Sequence, residues 1–433
     1  MSEQTQTNSE PQRIITLQEA ISLALEHSRE LQLARLEVRE SKAQKDIARS
    51  AYFPVIKNES GILHVTELAG VQIPAGAFSH SASTGLIPTE TLFLGQGAST
   101  TYTSGTGLAQ PFTQLLRVHE SNRAAAANLS IAQVKASNVE NLIALKVRQL
   151  FYSILIEQAT SEATKLNIAA SETTNAETTR DVADGKALEV SALEAHATLL
   201  EAKHSLLTEQ MKIRDLAMNL NDLMGLPIES SLALTEPEAY PITIPSRDEA
   251  LMQASTGNAR IRSAELAVEK ARAGYIAARE KYIPDVTGLA RYSYQSGVPF
   301  LVHNFGTFGF QLSYDIFDGG KRRSEVEEAH IKLTQAEVNL DNVKESVKIE
   351  LQNAYNKLDE IQSLVAVAQE SYDTRKELAR VTNEQLLHNA ALPSARDQAL
   401  AKMNQAKASL FQATLGLSLA QANVLTVLGQ MVK

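Results

Sequence analysis

The chain has 433 residues, a formal net charge of −9 from 41 Lys and Arg against 50 Asp and Glu, 44 % apolar residues, and neither Cys nor Trp. The acidic balance argues against nucleic-acid binding, which needs clustered Lys and Arg, and the lack of Cys excludes thiolate metal sites, iron–sulfur clusters, disulfides and cysteine nucleophiles. No run approaches the ~18 uninterrupted apolar residues of a transmembrane helix, whereas a membrane β-barrel stays open, because its strands are short and only half apolar.

Residues 1–15 form a polar N-terminal tail without the apolar core of a signal peptide, which fits either a cytosolic protein or a mature, processed chain. Thr16-Leu17-Gln18-Glu19 then opens a helix with the capping-box pattern, in which hydroxyl and carboxylate satisfy each other's backbone donors. The helical pattern predicts roughly 35 residues, to Tyr52-Phe53-Pro54, where proline makes continuation costly. An irregular stretch follows, with two strands expected in 55–110 and a long exposed loop over 71–104, rich in Gly, Ser, Thr and Pro. From about 114 to 182 the pattern is helical again, about 100 Å of helix. It breaks at Asp181-Val182-Ala183-Asp184-Gly185 and resumes from about 187 to 223. Residues 225–245, which include Pro227 and Pro245, lie beyond this second helix.

The chain is then written a second time. An offset of 230 carries Thr16 to Ala20 onto Ser246 to Ala250 and Tyr52-Phe53-Pro54 onto Tyr282-Ile283-Pro284. Further on an offset of 204 carries Val139, Ile143, Val147 and Ile154 onto Val343, Val347, Leu351 and Leu358, and Gly225 onto Gly429. That spacing marks one face of a helix. The expected organisation is therefore a repeat over 16–224, a linker over 225–245 and a second repeat over 246–433. Each repeat reads helix, two strands, long helix, turn and helix. The second turn is His388-Asn389-Ala390-Ala391-Leu392-Pro393. Helices this long pack side by side as a coiled-coil layer.

Residues 286–317 alternate as strands do. Phe308, Phe310, Leu312, Tyr314 and Ile316 share one face, and Thr307, Gly309, Gln311, Ser313 and Asp315 the other. Such a segment suits a membrane barrel wall above a watery lumen, or a soluble hairpin with one face on a core. Four strands cannot close a barrel in one chain, so a barrel would need several subunits. The basic run Lys321-Arg322-Arg323 behind Asp318-Gly319-Gly320 could meet anionic headgroups.

Nothing points to catalysis. The nine His are scattered, and His196 and His204, eight apart, are too distant to share a metal. No phosphate loop, nucleophile elbow or zinc-protease signature appears. No metal, cofactor or enzymatic activity is expected.

The capping-box helix, the Tyr-x-Pro, the strand pair, the Phe317-Asp318-Gly319-Gly320-Lys321-Arg322-Arg323 junction, the long helix, the turn and the second helix, in duplicate over about residues 14 to 430, resemble the TolC-like outer-membrane efflux family. The resemblance implies a mostly α fold with a β-barrel part. Three chains would form a twelve-stranded outer-membrane barrel continuous with an α-helical periplasmic tunnel, Phe308, Phe310, Leu312, Tyr314 and Ile316 facing lipid. It implies a passive conduit for solutes expelled by an inner-membrane pump through a periplasmic adaptor (membrane fusion) protein, with any leader peptide removed. The partners implied are thus two further copies, the adaptor, the pump and outer-membrane lipid, with no nucleic acid. Adaptor docking falls to Val182, Ala183, Asp184 and Gly185 and to Asn389, Ala390, Ala391, Leu392 and Pro393; a periplasmic gate falls to Glu189, Arg396 and Asp397. The rival reading is a soluble coiled-coil scaffold or adaptor, which has no use for the aromatic strand and its Gly-Gly end.

Overall fold

The structure, a computed structural model, describes residues 13–66, 70–81, 85–94, 100–236, 243–297 and 302–430. The expected polar tail thus lies almost wholly outside the described residues, as do parts of the expected loop over 71–104 and of the linker. In chain order the elements are β1 (Arg13–Ile15), α1 (Leu17–His27), α2 (Arg29–Ser50), β2 (Val55–His64), β3 (Val71–Ile73), β4 (Ser79–Ser81), β5 (Gly85–Ile87), β6 (Leu92–Leu94), β7 (Thr100–Pro111), α3 (Gln114–Ala183), α4 (Glu189–Met224) and β8 (Leu232–Leu234). There follow α5 (Arg247–Gly257), α6 (Ala259–Arg279), a 3-10 turn (Glu280–Tyr282), β9 (Asp285–Ser296), β10 (Asn304–Ser313), α7 (Lys321–Leu387) and α8 (Pro393–Val427). Two compact units result: one draws on residues 1–40, 129–267 and 337–433, the other on 41–128 and 268–336.

The first unit is helical. The Thr16 hydroxyl accepts the Glu19 N–H at 3.2 Å, and Ser246 and Glu249 complete the reciprocal capping box on α5. The single 35-residue helix expected at the start of each repeat is instead broken, once at Ser28 and once at Asn258. Both residues adopt extended backbone and restart the chain as helix caps. Ser28 Oγ accepts the Leu31 N–H, and Asn258 Oδ1 accepts those of Arg260 and Ile261. The two breaks are related by the offset of 230, so the signal was a pair of cap-forming residues at equivalent places.

The duplicated apolar positions become two cores. Ile15, Ala20, Ile21, Ala24 and Leu31 pack on Ile143, Val147, Phe151 and Ile154 of α3 and on Leu220 and Met224 of α4. Their counterparts Ala250, Ala254 and Ile261 pack on Val347, Leu351 and Leu358 of α7 and on Val424 and Val427 of α8. Each large side chain so buried contributes roughly 1.5–3 kcal/mol. A short parallel pairing of β1 with β8 ties residues 13–15 to the segment after α4. The long helices α3 and α7, of 70 and 67 residues, are about 100 Å each at 1.5 Å per residue. By length and composition α8 is apolar enough to cross a membrane, although no uninterrupted apolar run marks it. Its Ala, Leu and Val face is spent on the core.

The second unit is built around one antiparallel sheet of order β10-β9-β7-β2. The β7–β9 pairing joins the strands of the two repeats, running from Tyr102↔Ser296 to Pro111↔Thr287. The expected loop over 71–104 carries two short hairpins, β3 with β6 and β4 with β5.

Candidate functional site

Directly opposed residues of an antiparallel pair share a face, so the register extends the amphipathicity of β10 across the whole sheet. One face bears Phe308, Phe310 and Leu312 of β10, Val286, Ala290, Tyr292 and Tyr294 of β9, Tyr102 and Leu108 of β7, and Ile56 and Ile62 of β2. The other is mostly polar: it bears Thr307, Gln311 and Ser313, then Thr287, Arg291, Ser293 and Gln295, then Thr101 and Thr103, then Lys57 and Glu59, interrupted by Phe305, Leu289, Val55 and Leu63. Phe308 and Phe310 are 92 % and 80 % exposed in the single chain, so this apolar face has no cover from its own chain. Two glycine hollows set the faces. On the apolar side Phe112 lies against Phe310, ring centroids 6.2 Å apart, over Gly288, where a Cβ would stand 2.7 Å from the Phe112 ring. On the polar side the Arg291 guanidinium lies flat over Gly105 and reaches Glu59 at 3.4 Å. Midway along the apolar face Asn58, Ser60, Ser104 and Thr106 satisfy one another, with Asn58 Nδ2 donating to Thr106 Oγ1 at 2.9 Å and Ser60 Oγ donating to Asn58 Oδ1 at 2.8 Å.

The strand β10 ends at Ser313, so Tyr314 and Ile316 are not strand residues as expected. The chain turns there because Asp318 organises the start of α7. Its carboxylate accepts from the Gly320 N–H, the Arg322 N–H and Arg322 Nε, at 3.0, 3.1 and 2.7 Å. The Arg322 bonds hold the Asp318 carboxyl down to about 2. The same guanidinium covers the Tyr314 ring at 4.6 Å and the Tyr282 ring at 5.6 Å. Arg322 is therefore absorbed into the junction rather than offered to headgroups; Ile316 and Phe317 are exposed.

In the first unit the two helix turns prove equivalent, which their sequences conceal. Gly185 has φ +70° and Asn389 φ +58°, and the two are related by the offset of 204. In each the following residue donates back across the helix end: Lys186 N to Asp181 O at 2.7 Å, and Ala390 N to Gln385 O at 2.8 Å. That is the Schellman closure, in which a left-handed residue ends the helix, and Asn follows Gly as the side chain that tolerates it. Val182 and Ala183 finish α3, Asp184 pairs with Lys186 at 2.8 Å, Leu392 caps α8 and Pro393 fills its first turn. Leu188 and Leu392 occupy equivalent cap positions, and both are exposed.

Beyond the second turn α8 is bonded to α3. Thr173 Oγ1 donates to Asp397 Oδ2 at 2.9 Å, Gln398 Nε2 to Thr174 Oγ1 at 3.1 Å, and the Ser394 N–H to Glu177 Oε1 at 3.1 Å. Arg396 grips the other Asp397 oxygen through Nε and Nη2, at 2.8 and 2.5 Å. Arg396 and Asp397 are thus brought together as one latch. Glu189 stands exposed in the first turn of α4 and shares none of these bonds.

A family profile described as outer membrane efflux protein matches residues 20–226 and 250–430. The chain belongs to the outer membrane efflux protein family. It is the outer-membrane channel component of an efflux system of the TolC-like kind. The fold is shared with solved structures of the family. The outer membrane protein VceC of Vibrio cholerae superposes with a TM-score of 0.74 at 16 % identity, covering 96 % of this chain and 97 % of that one. The CmeC outer membrane channel of Campylobacter jejuni gives 0.75 at 15 %, covering 95 % and 85 %. The open-state MtrE outer membrane channel of Neisseria gonorrhoeae gives 0.75 at 18 %, covering 96 % and 89 %. Curated protein sequences give no significant match.

For an outer membrane efflux protein the informative residues are therefore those of the sheet faces, the turns and the latch. Among the described residues no group of three His, Cys, Asp or Glu is placed to hold a metal. An open groove of about 390 Å³ between α3, α6 and α7 is lined mainly by Ile131, Ala264, Ala267 and Val343, with Lys135 and Arg260 at its edge. It gathers no reactive pair. Sequence reasoning missed the latch donor Thr173 and the acceptors Thr174 and Glu177, since no motif sets them apart on α3. It also missed the outward residues of β2, β7 and β9, which only the strand register assigns.

Proposed function

We propose that three copies of this chain close one barrel in the outer membrane and pass solutes to the exterior as a passive conduit. The carrying observation is a four-stranded sheet, apolar on one face and mostly polar on the other, whose edge strands β2 and β10 have no partner strand on their outer side among the described residues. Strands of 10 to 12 residues match the ~9–11 needed to cross a bilayer at a tilt. Lipid then meets Phe308, Phe310 and Leu312, and the lumen meets Lys57, Glu59 and Arg291. Unpaired edges in an amphipathic sheet demand closure, and three copies supply twelve strands. A helical stripe supports the same assembly. Val190, Leu193, Leu200, Leu207, Met211 and Met218 of α4 are exposed at coiled-coil spacing, as a seam awaiting a neighbouring helix would be.

In this reading the repeats 16–224 and 246–433 each supply two strands and one helical hairpin, and 225–245 links them around the middle of the helical tunnel. The turns 182–185 and 389–393 present their exposed leucines to a periplasmic adaptor protein, which connects the channel to an inner-membrane pump. The Arg396–Asp397 latch on Thr173 holds the entrance closed, and Glu189 is a separate exposed acidic residue at the start of α4. Energy comes from the pump, so the channel needs no catalytic group or cofactor. The soluble scaffold reading falls with the family assignment.

Planar-bilayer conductance, with the mass in detergent measured alongside, tests this. Trimers with small, mostly closed channels that open several-fold in Asp397→Ala support both barrel and latch. A monomer that stays silent in the bilayer would overturn the reading.

A further inference from the structure

Where the sheet meets its helices, ionisable groups from four elements converge within the second unit. Glu120, in the second turn of α3, is 6 % exposed and pairs with Arg123 at 3.1 Å. His119 Nε2 lies 4.0 Å from Glu120 Oε1, and His119 Nδ1 lies 3.3 Å from the Tyr52 hydroxyl, just past α2. Arg117 is bonded to Asp285 at the start of β9. The fourth element is the 3-10 turn, whose Glu280 has a carboxylate oxygen, Oε2, closed off from solvent and without a hydrogen-bond partner among the described residues.

The surrounding cations are spent. Arg123 serves Glu120 and Arg117 serves Asp285, while beside Glu280 in sequence Arg279 stacks on Tyr275 and Lys281 pairs with Glu325 at 2.9 Å. An ionised Glu280 would therefore hold a buried, unpaired oxygen against a second carboxylate, and either alone is costly. A protonated Glu280 removes the repulsion and gains a donor. The Glu280 carboxyl is accordingly raised, by burial first and the Glu120 charge second, against a partial offset from His119 and Arg117.

We propose that this junction is a proton-operated clasp, in which a proton taken from solvent by Glu280 draws the turn before β9 onto the start of α3. A carboxyl that binds its proton more tightly when folded gives stability that is complete below its unfolded pKa and is lost as pH rises through the folded value. The junction is therefore firm in mild acid and loosened in neutral and alkaline medium, independently of whether the chain forms a channel.

The test is the thermal unfolding midpoint of the detergent-purified full chain, followed by circular dichroism from about pH 5 to about pH 8. The midpoint of the wild type falls as pH rises, and Glu280→Gln raises it at the alkaline end and flattens the slope. Glu120→Gln, which removes the facing charge from the other side, flattens the slope as well, and it decides the matter should Glu280→Gln not fold. Glu327→Gln, which removes an exposed carboxylate of α7 away from these ion pairs, serves as the control and leaves the slope as in the wild type. An unchanged slope in both junction variants, or a Glu280→Gln midpoint below wild type at the alkaline end, would overturn the clasp.

Discussion

At the first helix joint Gly225 faces the side chain of His27; at the second Gly429 faces the backbone of Gly257. Gly225 and Gly429 are equivalent by the offset of 204, and His27 and Gly257 by that of 230, so these are one joint made twice. Both C-terminal glycines are left-handed, with φ +71° and +80°. A Cβ on Gly225 would stand 2.5 Å from His27 Cβ, whereas one on Gly429 would collide with the Gly257 carbonyl oxygen. The second joint is tighter, backbone on backbone, and it is held by Asn258, whose Nδ2 donates to Val427 O at 2.7 Å. Duplication preserved the geometry while the means of achieving it diverged, and the second copy kept less freedom to yield.

The largest effect that could break this comparison is therefore at Gly429. A methyl there meets a carbonyl that cannot move without shifting the helix end, and it adds the strain of a left-handed Ala. Gly429→Ala should cost about 3 kcal/mol. Gly225→Ala should cost about 1–2 kcal/mol, since the His27 side chain can give way. Unfolding midpoints of the two variants in detergent measure the difference, and equal losses would show that the joints are mechanically alike. A middle-sized effect sharpens the point at the breaks themselves. Asn258→Ala removes two cap bonds and the tie to Val427, a loss of about 2 kcal/mol, while Ser28→Ala removes one long cap bond, a loss of about 0.5–1 kcal/mol. The same unfolding measurement on this pair fails the comparison if Ser28→Ala proves the costlier.

These joints also show how far the sequence could be read. The offset of 204 matches Ile143 with Val347 and Val147 with Leu351 in two equivalent cores, because a buried helix face repeats with the helix period and needs no partner to declare itself. The long helices and their turns were legible for the same reason. Ser28 and Asn258 were not, since each sits inside an unbroken apolar period and acts through side-chain bonds to the backbone, to which hydrophobic spacing is blind. The equivalence of Gly185 and Asn389 was hidden differently: what is shared is a positive φ, reached by two different residues. Strand ends escaped for a third reason. Tyr314 and Ile316 continue the alternation of β10, yet the Asp318–Arg322 bonds end the pairing before them. The latch was half visible, as Asp397 carries a charge and Thr173 does not.

A small effect on stability separates docking from structure at the two turns. Gly185 has no neighbour within 4 Å of where its Cβ would stand, so Gly185→Ala incurs only the left-handed strain of about 1 kcal/mol. Asn389→Gly relieves such strain and adds unfolded-chain entropy, which leaves it within about 0.5 kcal/mol of the wild type. Neither change touches a core, so trimers should form in both. Export from intact cells should nevertheless fall in Gly185→Ala, because a shifted turn moves Leu188, 74 % exposed and unused by its own fold. Adding Leu188→Ser to the Asn389→Gly background, where the second turn keeps its shape, should lower export in the same way. If export survives while the trimer dissociates, the turns hold the assembly together and do not dock a partner. If export falls with the trimer intact, the loss lies in what the exposed leucines meet outside the chain.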